Sequence, residues 1–223
     1  MRINTTLLVI LPIGIALASQ VNAAEALTVP GDYPTIQEAV DAASPGQEIE
    51  VSAGKWKGAE IWQPVKIKGE GTDTRIVEGV TLFDGGFAIY SDGTEISHMT
   101  IENATFGVFV VLDADNVKLS HIEFSGCEVC VFSEGNGLTV THSKFELKQA
   151  YGRSDSVGGI SIAGDNGVFA HNEIKISLNG LVQAIDAIAL SWVGLLANNN
   201  VIEHNAITWS TPNMPSTLAA IGR

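Results

Sequence analysis

The sequence predicts an all-β fold: a single-stranded, right-handed parallel β-helix (a solenoid) with a short N-terminal capping helix. Three observations predict it. A six-residue segment with histidine in third place recurs five times, a second apolar strand recurs between those segments, and corners rich in Asn and Gly close each turn of chain.

The N-terminus sets the compartment. Arg2 is a short positive region, Leu7 to Ala18 is apolar apart from Pro12 and Gly14, and Val21-Asn22-Ala23 is a small-residue cleavage site. Such a run is too short and too quickly ended to span a bilayer, and it reads as a signal peptide over residues 1–23. Cleavage after Ala23 leaves residues 24–223 as the β-helix domain, secreted or periplasmic. No second long uncharged apolar stretch follows, so no membrane insertion is expected after cleavage.

A short helix comes next. Pro34 to Ala43 places Ile36, Ala39, Val40 and Ala43 on one face, Thr35 and Glu38 have capping-box spacing, and Ser44-Pro45-Gly46 stops the run. The helix is expected to lie over the first coil, which begins with Ile49 and Val51.

The repeat itself is ungapped: Ile96–Ile101, Leu119–Phe124, Val140–Phe145, Phe169–Ile174 and Ile202–Ile207. Every histidine of the chain (His98, His121, His142, His171, His204) holds the same place in it. Between them run Val108 and Val110, Val129 and Val131, Ile160 and Ile162, and Ile188 and Leu190, each pair predicted on one face by strand alternation. The histidines are 23, 21, 29 and 33 residues apart, so the extra length of the later coils is looped out, over Glu146–Val157 and Lys175–Ile185. A coil this short buries its apolar face only by stacking on neighbours, and the right hand follows from the crossover preference.

Several stretches carry a resemblance. Gly31-Asp-Tyr-Pro-Thr-Ile-Gln-Glu-Ala-Val40, Pro45-Gly46, Ile49-Glu-Val51, Gly54-Lys-Trp56 and Ile67-Lys-Gly-Glu-Gly71 resemble the opening of pectinesterases and other pectin-lyase-like β-helix proteins. The resemblance implies that fold and a polysaccharide substrate or ligand. The pectinesterase strings Q-D-T, D-F-I-F-G and G-R-P-W are absent, so an active pectinesterase is not expected, although Val182-Gln183-Ala184 is superficially similar to that family's glutamine context. Asn116 to Ser125 is similar to a pectate-lyase stretch, with Lys118 and Ser120 in place of its Trp and Asp.

Loops on a rigid scaffold are where binding and chemistry concentrate, and same-side insertions wall a groove. The first insertion holds Lys148, Tyr151, Arg153 and Asp155; the second holds Asn179 and Gln183 and runs into Asp186. Arg153, Asp155 and Asp186 are the catalytic candidates of a lyase or hydrolase, a guanidinium fork beside a carboxylate pair that could alternatively hold Ca2+. Tyr151, Lys148, Asn179 and Gln183 are the substrate-binding candidates, with Tyr90, Phe109, Trp192 and Trp209 as further surface for a glycan.

Other readings stand beside this one. The chain could bind glycan without cutting it, or serve as a structural spacer. The histidine column could handle a transition metal, as in the NosD-like periplasmic proteins of copper delivery, or be a structural ladder near a turn. Cys127 and Cys130 are packing residues or a local bridge. A formal charge of -13 excludes a phosphate-backbone partner and suits solubility or a bound cation. Ser216 to Arg223 reads as the start of a further strand, so the last coil is expected to be open, in a fragment or at a self-association surface.

Overall fold

The computed structural model describes residues 25–78, 86–148, 156–177, 184–192, 195–210 and 218–222. The predicted signal peptide lies outside these residues. The described chain is mostly β, with parallel strands and one helix. Two sheets take nearly all of it, of 13 and 7 strands.

The chain alternates between them. Lys118–Ser125 lies in the larger sheet, Val129–Ser133 in the smaller, and Thr139–Thr141 returns to the larger to pair in parallel with Lys118–Ser120. The same path recurs on either side, an arrangement consistent with a parallel β-helix. Among the described residues, Ser191–Trp192 and Leu195–Leu196 form an antiparallel pair.

Register explains the repeat. Leu27, Ile49, Ile67, Ile96, Leu119, Val140, Phe169 and Ile202 stand one above another in the larger sheet. A second column runs Ile76, Ile101, Phe124, Phe145, Ile174 and Ile207, with Phe124 and Phe145 stacked at 4.8 Å. From the smaller sheet, Val108, Val131, Ile160 and Ile188 complete a core in which each is fully buried. Each such side chain contributes about 1.5–3 kcal/mol by leaving water.

The corners are built from left-handed backbone, which Gly and Asn adopt most readily. Gly93, Asn116, Gly137, Asn166 and Asn199 form one such column, with φ of 67, 58, 69, 61 and 55°. Just before it, side-chain oxygens form a ladder. Asp92 accepts from the Asp115 N–H at 2.8 Å, Asp115 from Asn136 at 2.7 Å, Asn136 from Asp165 at 2.9 Å and Asp165 from Asn198 at 2.6 Å.

The helix spans Ile36–Ala42, and the Thr35 hydroxyl accepts the Glu38 N–H at 3.2 Å as the spacing predicts. Its buried residues are Ile36, Ala39 and Val40. Gln37 exchanges hydrogen bonds with the backbone of Glu60, and Gln63 donates to the carbonyls of Val40 and Ala43 at 2.8 and 2.7 Å. The helix is thereby pinned to the first strand of the smaller sheet.

Two expectations need correction. Val129 pairs with Phe106 and is only half-buried, whereas Cys130 and Val131 are both buried. The same break occurs one coil earlier at Phe106-Gly107-Val108, and the two coils approach closely there, since a Cβ on Gly107 would strike the Cys130 carbonyl. The insertions are also shorter than spacing predicts, because strands continue to Lys148 and Ser177 and resume at Ser156 and Ala184. Trp209 stands in register with Ile176 and Leu147.

Candidate functional site

The two inserted segments are now 149–155 and 178–183. Their flanking strands pair directly: Lys148 is in register with Ser177, and Ser156 with Ala184. Topology therefore brackets both segments between the same two sheets on successive coils. Tyr151, Arg153, Asp155, Asn179 and Gln183 lie outside the described residues. Lys148 ends one flanking strand, and Asp186 sits in another, in register with Gly158, which is itself in register with Val129.

That register runs along the smaller sheet, which carries an aromatic group of half-buried Phe106 and Phe109 and buried Phe132. Phe109 and Phe132 are register partners and stack at 5.2 Å, while Phe106 meets their edges at 5.5 and 5.8 Å. These contacts fall in the preferred range for ring pairs.

A second aromatic pair lies past the ends of the first two strands of this sheet. Trp62 follows Ala59–Ile61 and Tyr90 follows Phe87–Ile89, so both occupy the same place in consecutive coils. Their rings are stacked at 3.8 Å and nearly coplanar in orientation, 5° apart. Trp62 is 65% exposed and Leu112, on the next coil, 62%. Burial, and secondarily the Glu60 carboxylate, raise the Tyr90 phenol above its usual pKa. Trp62 was not singled out from the sequence; its place in step with Tyr90, one residue past paired strands of the smaller sheet, is what finds it.

The outer face of the larger sheet is different in kind. Lys118 reaches Glu95 at 3.0 Å, Lys144 reaches Glu123 at 2.9 Å and Arg75 reaches Glu102 at 2.7 Å. Lys144 and Arg75 accordingly hold their protons more tightly, chiefly through the hydrogen bonds to those carboxylates. A groove there, lined by Thr100, Glu123, Ser125, Lys144, Glu146 and Glu173 among others, encloses about 250 Å3, below the usual ligand-cleft range of about 300–1,000 Å3. The three cations Lys118, Lys144 and Arg75 are matched against carboxylates of neighbouring coils.

All five histidines have left-handed backbone, with φ between 52° (His142) and 59° (His171). Adjacent rings are stacked, from His98 to His204. Imidazole lone pairs lie in the ring plane, so stacked rings aim them along parallel planes and not at one shared point. Among the described residues, no three His, Cys, Asp or Glu side chains converge as metal ligands. Cys127 and Cys130 are free thiols buried in the core. Burial, and secondarily the hydrogen bond its S–H donates to Cys127, push the Cys130 thiol well up, which suits packing and opposes thiolate chemistry at that sulfur.

No family model matches the sequence, and no curated protein matches it. Among solved structures the chain is similar to the pectin methylesterase from Aspergillus niger, at 17% identity and a TM-score of 0.43, over 88% of this chain and 81% of that one. Identity at this level transfers no site residue. Among the described residues, no helix is long and apolar enough to cross a membrane.

Proposed function

We propose that this is an exported, right-handed parallel β-helix protein of the pectin-lyase-like kind that binds a polysaccharide along the outer face of its smaller sheet. In this reading the helix Ile36–Ala42 caps the first coil. The observation that carries the binding role is the Trp62–Tyr90 stack, a flat ring pair whose outer member is 65% exposed. A stacked tryptophan is rigid and offers an apolar plate that matches the C–H face of a pyranose. Hydroxyls at the rim of the sugar stay in water or reach polar neighbours. Among the described residues, the ion-paired face of the larger sheet carries no exposed stacked ring pair of this kind.

Catalysis, if the protein also cuts or modifies the chain it binds, rests on the bracketed segments. Arg153, Asp155 and Asp186 are the proposed acid, base and electrophilic groups of a lyase or hydrolase. Lys148, Tyr151, Asn179 and Gln183 are the proposed sugar contacts, and Asp155 with Asp186 the proposed seat of any Ca2+. The support is topological: both segments spring from paired strands, and Asp186 shares a register line with the aromatic-bearing face.

The test is a panel of pectate, alginate and neutral glycans offered to the mature protein with and without Ca2+, reading retention and product release separately. Retention that fails in Trp62→Ala supports the binding reading. Turnover unchanged in an Arg153→Ala, Asp155→Asn double variant moves the chemistry elsewhere, and no retention of any glycan leaves the spacer reading.

A further inference from the structure

The five histidines form one continuous pile. Ring centroids are 4.6 Å apart for His98–His121, 5.2 Å for His121–His142, 5.1 Å for His142–His171 and 4.9 Å for His171–His204. Interplanar angles run from 5° to 21°. The shared left-handed φ fixes each Cα–Cβ bond in the same direction, so the backbone itself aligns the pile. At its N-terminal end, Gly69 stands where a further histidine would, and a Cβ there would strike the His98 carbonyl.

Neutral imidazoles suit this arrangement, because flat rings stack without net charge. Protonated ones do not. A proton on one ring sets a positive charge about 5 Å from the next, and like charges at that range oppose each other. His98 is half-buried and His121, His142, His171 and His204 are exposed to water, and few protein charges stand by to compensate them. The row before the histidines reads Lys68, Ser97, Ser120, Thr141, Ala170 and Glu203; the row two residues after reads Thr100, Glu123, Lys144, Glu173 and Ala206. Glu203 comes within 3.8 Å of His204, at one end of the pile. Glu123 is engaged by Lys144, which also feels Glu173, and Glu95 is engaged by Lys118. At the other end, Lys68 adds a positive charge, and the buried His98 Nδ1 has no hydrogen-bond partner.

We propose that the histidine column is an acid-sensitive seam: neutral, it helps hold successive coils in register, and protonated, it drives them apart, so that the stack loosens as the pH falls through the histidine range.

The sign is fixed at His98. Burial first, then His121 and Lys68, hold its pKa below the ordinary histidine value. The unfolded chain therefore takes the proton more readily than the folded one. The stability this group contributes is complete above the unfolded value of about 6.5 and is lost as the pH falls from there through the folded value.

The experiment is thermal unfolding of the mature protein from about pH 7.5 to about pH 5, beside a variant with all five histidines changed to Asn, which tolerates left-handed backbone and carries no charge. The wild-type Tm is expected to fall by on the order of 5 °C or more over that interval, and the variant to lose at least half of that fall. An unchanged wild-type Tm, or the same fall in the variant, overturns the proposal. Should the five-fold variant not fold, His142→Asn alone splits the pile into two pairs and must reduce the acid slope. Histidine NMR of the wild type gives a further reading: proton uptake spread more widely than one independent site supports the seam, and five independent titrations at or above about 6.5 overturn it.

Discussion

The Asn172 side chain ties together successive turns of the chain. Its Oδ1 accepts the Ser143 N–H at 2.9 Å, its Nδ2 donates to the Val140 carbonyl at 2.9 Å, and its own N–H donates to Asn205 Oδ1 at 2.9 Å. Only 2% of the residue is exposed. Beneath it the same position is Ser143, whose hydroxyl accepts the Ile122 N–H at 3.2 Å, and above it Asn205 donates to the Phe169 carbonyl at 2.7 Å.

Asn172→Ala should therefore destabilise the chain by about 2–4 kcal/mol, since it leaves a buried N–H and a buried carbonyl without partners. Asn172→Asp keeps an acceptor but loses the donor and buries a charge, so it should be at least as costly near neutral pH. Urea unfolding at fixed pH measures both.

The left-handed corner makes its own prediction at His171, where φ is 59°. His171→Asn or His171→Gly should cost less than about 1 kcal/mol beyond the lost stacking, whereas His171→Val should cost about 1–2 kcal/mol more, because a β-branched side chain is strained there. The order of the three midpoints in denaturant is the readout. Valine equal to asparagine would contradict the corner geometry.

Glycine matters here for two separate reasons. A Cβ at Gly107 would meet the Cys130 carbonyl and the Phe124 ring, so Gly107→Ala must push paired strands apart and should cost more than about 2 kcal/mol. Gly46 has φ +82° and nothing within 4 Å of a Cβ, so Gly46→Ala should cost only about 1 kcal/mol of backbone strain. Thermal unfolding of the two variants side by side should separate them clearly.

Trp62→Ala should weaken retention of a bound glycan by about tenfold or more, the scale of about 1.4 kcal/mol for a lost stacking contact. Its Tm should stay within a few degrees of wild type, because the ring is mostly exposed and caps Tyr90 without filling the core. Affinity electrophoresis in gels cast with the retained glycan separates the two effects.

The repeat was legible because stacking is unforgiving. Ile96, Leu119, Val140 and Phe169 must recur in one register to share a core, and that leaves a period in the sequence. Thr35 and Glu38 announced the helix start by the same local logic. The histidines were visible as a column, but their left-handed backbone was not, since histidine is an ordinary strand or loop residue in most contexts. The Cys130 corner was hidden because a close approach between strands depends on Gly107, one coil away. Most of the proposed catalytic residues belong to the two inserted segments, where no repeat constrains the chain and spacing alone places nothing. Trp62 escaped notice because its step with Tyr90 shows only once Ala59–Ile61 is paired with Phe87–Ile89, and the Glu60 between Ala59 and Ile61 hides that pairing in the sequence.

The central claim is that glycan lies on the outer face of the smaller sheet, and mapping by NMR tests it most directly. An oligosaccharide of the retained glycan, titrated into 15N-labelled mature protein, should shift the Trp62 indole N–H and the backbone amides of Tyr90 and Leu112 first. Shifts confined to the charged rows of the larger sheet, around Glu95, Lys118, Glu123 and Lys144, or no shifts at saturating sugar, would contradict it.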